Sequence, residues 1–311
     1  MEIYLEQYYS EKITHKVIPS ELRGRTLNIK LYDAHVHFVY SCATDELQRI
    51  FKALENMGLA GMNVLVMAEF PSEIETILRM IPGAYHPYIN HGSLENQKNP
   101  FPILNLTDHL EIIPFLDARF IEDHIEQKIK MFHQKGFRGL KLLYVPEEDL
   151  EYRVGGMENA FGRARKKSEE ITALLIENAS FHGMSILMHA DLRKYVEFVA
   201  EMIRCHRQTN FNIPHFGFSR KAISSLLDNY PNCYTDLSSL RTFMEKDPDS
   251  YRSFIQRYQD RILFGSDAII SQPDNIQSAL KFLEGFLSNA EILSKLVNEN
   301  YLAFHGILNR A

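Results

Sequence analysis

The chain has no tryptophan and only three cysteines in 311 residues. Cys42, Cys205 and Cys233 are widely spaced and odd in number, which argues against a disulfide framework and against a zinc site built from thiolates. No apolar run approaches the ~18 residues of a membrane-spanning helix. The segment from Met1 to Glu6 lacks the apolar core of a signal peptide, so we expect a protein of the reducing cytoplasm.

An excess of positive charge is also absent. There are 34 lysine and arginine residues against 40 aspartate and glutamate residues, which gives a formal net charge of -6. Nucleic acid is therefore not expected as the main partner. The hydrophobic fraction of 45% and the charged fraction of 24% are ordinary values for a globular domain.

Short apolar runs alternate with longer stretches whose apolar residues recur at helical spacing, which favours parallel βα units. Gly58, Gly136 and Gly183 stand where a left-handed residue ends a helix. The predicted helices include 46–57, 121–135, 168–182, 192–207 and 220–229. The eight predicted strands are 31–38, 62–67, 110–116, 139–143, 185–189, 212–215, 233–237 and 261–264.

Eight such units predict an α/β protein with a (β/α)8 TIM barrel, whose usual size is ~250 residues plus insertions. The alternative is an open, doubly wound sheet. It is disfavoured because no glycine-rich phosphate turn follows an early strand.

Polar side chains end several of the predicted strands. His35 and His37 lie two residues apart on the first strand, and strand side chains alternate, so both imidazoles project from one face. In a barrel the carboxyl ends of all strands meet at one mouth, where catalytic groups lie. An open site with three imidazoles and one carboxylate is typical of catalytic zinc. The strand ends in chain order supply His35, His37, Lys141, His189, His215 and Asp267.

Each candidate also has a structural interpretation. The histidine pair could be hydrogen-bonded within the barrel mouth. His189, taken in isolation, would be interpreted as a core histidine with satisfied hydrogen bonds. Asp267 could cap the helix that follows, since aspartate is favoured at such positions. The full ordered set favours chemistry over these alternatives.

The order of these residues resembles the amidohydrolase superfamily. The local sequence is similar to its amidohydrolase-related branch, which includes aminocarboxymuconate-semialdehyde decarboxylase-like enzymes. The resemblance runs from about Leu31 to the C-terminus and implies one TIM-barrel domain over 31–311, of the metal-dependent hydrolase type. Residues 1–30 are then an extension that packs on the barrel or on a neighbour. The phrases that carry the resemblance are Asp33-Ala34-His35-Val36-His37, Gly136-Phe137-Arg138-Gly139-Leu140-Lys141-Leu142, His215-Phe216-Gly217, Tyr234-Thr235-Asp236-Leu237-Ser238-Ser239, Leu263-Phe264-Gly265-Ser266-Asp267 and Asn300-Tyr301-Leu302-Ala303-Phe304-His305-Gly306.

The resemblance implies that His35, His37 and His189 coordinate a divalent metal, with Asp267 as a further ligand or as general base. His215 would lie beside the metal and polarise the substrate or hold a developing oxyanion. Zinc is the expected ion, manganese is the alternative, and one ion is favoured over two. A bound cation lowers the pKa of its water towards ~7, and a nearby carboxylate can take the proton.

Lys141 leaves several roles open. In some amidohydrolases a lysine on strand four is carboxylated and bridges two metals. A buried lysine can instead bind a substrate carboxylate or act as a base, so Lys141 is counted among the catalytic candidates. Arg119, Arg193 and Arg241 are candidates to bind a substrate carboxylate, with ordinary ion pairing as the alternative for each.

The expected function is hydrolysis of a C–N or C–O bond, in an amide, cyclic amide or lactone, of a small carboxylated substrate. An alternative keeps the fold and the metal but performs non-oxidative decarboxylation or hydration. A further alternative is a barrel that binds a ligand without catalysis. The expected partner is a small molecule, with neither nucleic acid nor membrane, and a homo-oligomer is left open.

Overall fold

The computed structural model describes residues 30–38, 44–66, 107, 109–119, 121–148, 156–270 and 272–307. Within these ranges all paired strands are parallel and form a single sheet, in the order β8-β7-β6-β5-β4-β3-β2-β1-β9. The strands are β1 Leu31–Phe38, β2 Leu59–Val66, β3 Glu111–Asp117, β4 Gly139–Tyr144, β5 Ser185–Ala190, β6 Phe211–Ile213, β7 Cys233–Asp236, β8 Ile262–Leu263 and β9 Ala268–Ile269.

The sheet closes on itself through the segment 261–270. At its start this segment pairs with β7, with Ile262 opposite Thr235, and at its end it pairs with β1, with Ala268 opposite Val36. Between the two short strands the backbone N–H of Ala34 donates to the carbonyl of Phe264 at 2.8 Å. β8 and β9 are therefore two parts of one eighth strand, and the predicted (β/α)8 TIM barrel is confirmed. The alternative of an open doubly wound sheet is wrong.

Helices connect the strands and cover the barrel. Some of them begin with a capping side chain: Asp191 accepts from the N–H of Arg193, and Ser219 accepts from that of Ala222. Gly58, which follows the first helix, has a φ of +84° that a side chain would disfavour. The helices are α1 Thr44–Asn56, α2 Ile125–Gln134, α3 Met157–Phe161, α4 Arg165–Phe181, α5 Leu192–Cys205, α6 Arg220–Asn229, α7 Arg241–Lys246, α8 Pro248–Arg257, α9 Pro273–Phe286, α10 Ala290–Ser294 and α11 Asn300–Phe304.

Two apolar cores lie on the two sides of the sheet. The larger one fills the space between strands and helices. The smaller one fills the barrel interior, where Phe115, Leu187 and Leu263 are fully buried. At the amino end of the strands Tyr32 stacks on Tyr301 of α11 with ring centroids 4.6 Å apart. Burial of each of these apolar side chains contributes ~1.5–3 kcal/mol to stability. Together they fill the amino end of the barrel, and the carboxyl end is left to polar groups.

A β-bulge in β1 decides which residues face the interior. From Asp33 opposite Met62 to Val36 opposite Val64, β1 advances three residues while β2 advances two. Ala34, within the bulge, belongs to the interior core, and Val36, directly after the bulge, belongs to the outer core. The two histidines that flank Val36 therefore face the interior, at the carboxyl end.

The predicted N-terminal extension lies outside the described residues but for its last residue, so the division at residue 30 stays a prediction. In the part of the chain that the structure describes, no helix has the length and apolarity needed to cross a bilayer.

Candidate active site

The two histidines of β1 lie side by side at the mouth of the barrel. Their ring centroids are 5.2 Å apart; the side chain of His35 is fully buried and that of His37 is 22% exposed. The backbone N–H of His35 donates to Asp33 Oδ1 at 3.0 Å, and the same oxygen accepts from the N–H of Ser266 at 3.0 Å. Asp33 thus ties the bulge of β1 to the segment that closes the barrel.

Asp267 lies in the interruption between β8 and β9 and faces the histidine pair. Its Oδ1 is 2.9 Å from His37 Nε2 and 3.1 Å from His35 Nε2, and its Oδ2 accepts from Ser239 Oγ at 2.7 Å. Its φ of +58° turns the side chain inward. The next helix begins only at Pro273, so the interpretation of Asp267 as a helix cap is wrong. Burial raises the pKa of Asp267, but His35, His37 and His215 outweigh it and hold that pKa well below 3.8, so the group is a carboxylate.

Asp236, at the end of β7, anchors His35 from the opposite side. Its Oδ2 is 3.0 Å from His35 Nδ1 and accepts from Asn212 Nδ2 at 2.9 Å. Its Oδ1 accepts from the N–H of His215 at 3.2 Å, from the N–H of Ser238 at 3.1 Å and from Ser238 Oγ. Burial alone would raise the pKa of Asp236, yet His35 and these donors bring it below the usual carboxyl range. Asp236 therefore fixes the orientation of the His35 ring.

His215 follows β6 in a strained turn. His215, Phe216 and Gly217 all have φ between +53° and +57°, a region that L residues other than glycine rarely adopt. The turn places the ring of His215 with its centroid 5.5 Å from that of His35. His215 Nδ1 is 2.9 Å from the carbonyl oxygen of Ser238, which can only accept, so Nδ1 carries a proton and the ring is held in this orientation.

His189, at the end of β5, lies next to His215, with ring centroids 5.2 Å apart. The pKa of His189 is well below 6.5, because burial and then the neighbouring His215 and Lys141 disfavour its charged form. A neutral imidazole at this place is the form that binds a metal.

The structure brings the three predicted substrate-binding arginines into ion pairs. The guanidinium of Arg119 is buried, while Arg193 and Arg241 are 38% and 42% exposed. Each contacts a carboxylate two to four residues away in the chain. The pairs are Arg119 with Asp117, Arg193 with Asp191 and Arg241 with Glu245.

Lys141, the third residue of β4, lies opposite Asp117 of β3 and Leu187 of β5. Only 7% of it is exposed. Burial lowers the pKa of Lys141 to about 8, and the nearby carboxylates, Asp267 first, oppose the shift. This places an ammonium group in the barrel interior within electrostatic range of Asp267.

Three polar residues of this site were not singled out from the sequence. Asn212 and Ser238 hold Asp236, and Ser239 holds Asp267. Ser238 and Ser239 lie just beyond the carboxyl end of β7, separated from it by Leu237, and this position at a strand end is a signal that could have marked them.

The histidine nitrogens and the Asp267 carboxylate of this site are suitable ligands for a divalent cation. Ligand atoms of His35, His215 and Asp267 lie within 4.8 Å of one another, and His37 Nε2 lies close to the same Asp267 oxygen. Nitrogen and carboxylate oxygen ligands of this kind suit zinc and related ions. His35 Nε2 is buried and has no hydrogen-bond partner among the described residues, although Asp267 Oδ1 is 3.1 Å away. The lone pair of His35 Nε2 and the carboxylate oxygen repel each other at this distance, and a cation bound between them removes that repulsion.

Comparisons with solved structures place the fold among TIM-barrel proteins. An amidohydrolase from Burkholderia multivorans with bound HEPES aligns with a TM-score of 0.53 at 13% identity, over 89% of this chain and 99% of that one. A TIM-barrel protein from Bordetella bronchiseptica aligns with a TM-score of 0.53 at 12% identity, over 91% and 100%. A phosphotriesterase homology protein from Escherichia coli, complexed with phosphate in its active site, gives 0.51 at 11% identity, over 89% and 98%. At these identities the likeness concerns the fold.

No curated protein matches the chain in sequence. The sequence profile described as amidohydrolase matches residues 32–304, which is most of the chain and includes every residue of the site. The match does not separate the branch with aminocarboxymuconate-semialdehyde decarboxylase-like enzymes from others, so that finer assignment stays a prediction. The chain belongs to the amidohydrolase family, a family of metal-dependent hydrolases.

Proposed function

We propose that this enzyme hydrolyses a C–N or C–O bond in an amide, cyclic amide or lactone of a small carboxylated substrate. His35, His37 and Asp267 hold one divalent cation, zinc first and manganese as the alternative, and His189 completes the ligand set. The bound cation lowers the pKa of its water towards ~7 and stabilises the negative charge of the attacked group. The reaction takes place at the carboxyl mouth of the barrel, which is where such enzymes carry their catalytic residues.

One observation carries the proposal: the arrangement of atoms around His35. Asp236 Oδ2 is an acceptor 3.0 Å from Nδ1, so Nδ1 carries the proton and Nε2 presents a lone pair. That lone pair is 3.1 Å from a carboxylate oxygen of Asp267. Burial lowers the pKa of His35 to about 4, so at neutral pH a proton on Nε2 does not relieve the contact. A metal cation does, and His37 Nε2 approaches the same oxygen at 2.9 Å.

The other residues of the site have roles that follow from their partners. Asp267 is ionised at neutral pH and takes the proton of the attacking water, then gives it to the leaving nitrogen or oxygen. Ser239 Oγ donates to Asp267 Oδ2 at 2.7 Å and holds that carboxylate in place. His215, fixed through its Nδ1, stands beside the reacting group and polarises the substrate or holds the developing oxyanion.

The test loads purified protein with zinc or manganese and measures metal content and turnover together. Wild-type protein is expected to bind one ion per chain and to open a lactone or cyclic amide ring, and Asp267→Asn is expected to lose at least ~100-fold in kcat. Asp228→Asn, on the surface of α6, is the matched control. The panel also contains aromatic acids.

Three results would replace the proposal. Release of carbon dioxide without water consumption would favour decarboxylation. Two ions per chain at full activity would favour a carboxylated Lys141 that bridges them. A protein that takes up neither metal, with His35→Ala unchanged in every property, would favour a barrel without catalysis.

A further inference from the structure

We propose that Lys141 binds the carboxylate of the substrate and so determines that the enzyme prefers anionic substrates. The inference rests on the proposed hydrolytic function and deepens it, because it moves the anion-binding role from the three predicted arginines to one lysine. It also gives Lys141 a role that needs no second metal.

The position of Lys141 directs its side chain into the barrel interior. On β4 it alternates with Leu140 and Leu142, which both belong to the outer core between sheet and helices. Its neighbour in register on β5, Leu187, belongs to the interior core. Lys141 therefore faces the interior on the same side as the histidines, one strand away from His189.

The ammonium group of Lys141 has no partner among the residues that the structure describes. No hydrogen bond or ion pair joins Nζ to any of them, although 93% of the residue is buried. The obvious candidate, Asp117, is directly opposite on β3, but both of its oxygens accept from the guanidinium of Arg119, which donates through Nε at 3.0 Å and 2.9 Å and through a terminal nitrogen. Asp236 is likewise occupied by His35 and its other donors.

A buried and unpaired ammonium is costly, and it becomes favourable when a ligand supplies the counter-charge. The lowered pKa, about 8, still leaves most of the group protonated at pH 7. A carboxylate on the substrate satisfies this charge within the same cavity as the metal ligands. The three arginines differ in that each already has a carboxylate partner in the same part of the chain.

The experiment compares acids with their neutral esters on zinc-loaded protein. The probes are pyroglutamate and 5-oxotetrahydrofuran-2-carboxylate, each beside its methyl ester, which differ from the acids only in charge and one methyl group. For each pair kcat/KM and, by calorimetry, binding are measured for wild type, Lys141→Met, Lys141→Arg and Lys281→Met. Lys281 is an exposed lysine of α9 and serves as the control.

In wild type the acid is preferred over the ester. In Lys141→Met this preference falls roughly 10- to 100-fold, mainly through KM, because one charge-assisted hydrogen bond is lost. Lys141→Arg restores part of it, Lys281→Met keeps all of it, and metal content stays at one ion in every variant. Since acid and ester are compared in the same sample, a folding defect cancels from the ratio.

An unchanged preference in Lys141→Met contradicts the proposal, and so does a wild type that prefers neither acid. Loss of metal in Lys141→Met also contradicts it and favours a metal-bridging lysine. If binding shows the Lys141-dependent preference but no ring opens, the hydrolytic function fails and the inference stands. If rings open without that dependence, the function stands and the inference fails.

Discussion

Replacing Asp236 by asparagine is expected to weaken metal binding while leaving the fold intact. Five donors point at the two carboxylate oxygens of Asp236: His35 Nδ1, Asn212 Nδ2, the N–H groups of His215 and Ser238, and Ser238 Oγ. An amide keeps only one accepting oxygen. The least costly orientation points its NH2 at the Oδ2 position, where His35 and Asn212 donate now.

Both neighbours can adapt to that NH2 group. Asn212 Oδ1 has no hydrogen-bond partner among the described residues, so a flip of the Asn212 amide turns a donor into an acceptor. His35 can move its proton from Nδ1 to Nε2, and Nδ1 then accepts. The proton on Nε2 donates to Asp267 Oδ1, which is 3.1 Å away. The metal-free D236N protein thereby regains its hydrogen bonds, but the lone pair that a metal needs is gone.

The expected loss of zinc affinity is roughly 10- to 100-fold, about 1.4 to 2.7 kcal/mol, which is usual when the partner of a metal-binding histidine is removed. The unfolding free energy of the metal-free protein is expected to fall by only ~1 kcal/mol, because each donor finds a new acceptor. Zinc titration against a competing chelator gives the affinity, urea denaturation gives the stability, and nitrogen-15 NMR of the imidazoles gives the tautomer.

Asp228→Asn is the control, since Asp228 pairs with Arg257 on the surface. Zinc affinity of D236N within about threefold of wild type would refute the reasoning. So would an unchanged His35 tautomer in the D236N protein.

Three further outcomes are expected. Gly265→Ala would bring a methyl group to 2.9 Å from the Cβ of His35, so we expect a stability loss of ~1–3 kcal/mol by urea denaturation together with weaker zinc binding; a variant as stable as wild type would contradict the close contact. His189→Ala and His215→Ala separate two ways of completing the ligand set: the proposal expects the larger loss of zinc affinity for His189→Ala, and the reverse order would make His215 the ligand. Burial lowers the pKa of His305 to about 3, so this residue stays neutral in the folded protein while the unfolded chain gains a proton below pH ~6.5. The unfolding free energy therefore falls as the pH drops from 6.5 towards 3, by ~2 kcal/mol at pH 5. His305→Gln should flatten this pH dependence in urea titrations at pH 7 and pH 5.

The parts of the fold that could be predicted from sequence are those set by local chemistry. Apolar runs mark buried parallel strands, and all eight predicted strands have counterparts in the barrel. Gly136 and Gly183 end helices with φ of +103° and +66°, as expected for residues without a side chain. The convergence of the strand ends then follows from the barrel itself, which is why His35, His215 and Asp267 meet.

What depends on contacts across the barrel could not be read from the sequence. The bulge in β1 is a matter of register with β2, and no residue type at Ala34 announces it. Likewise, nothing in the local sequence around Ser239 indicates that its hydroxyl donates to Asp267.

The split eighth strand has a consequence for how this enzyme acquires activity during folding. β8 and β9, which lie on either side of the segment from Phe264 to Asp267, close the barrel by pairing with β7 and β1. Asp267, a candidate metal ligand, lies within this closing segment. Until the last strand docks, His35 and His37 lack their carboxylate. Pairing of the first strand with the last therefore also brings the proposed metal ligands together. We expect a folding intermediate in which these strands are not yet paired to be unable to retain zinc.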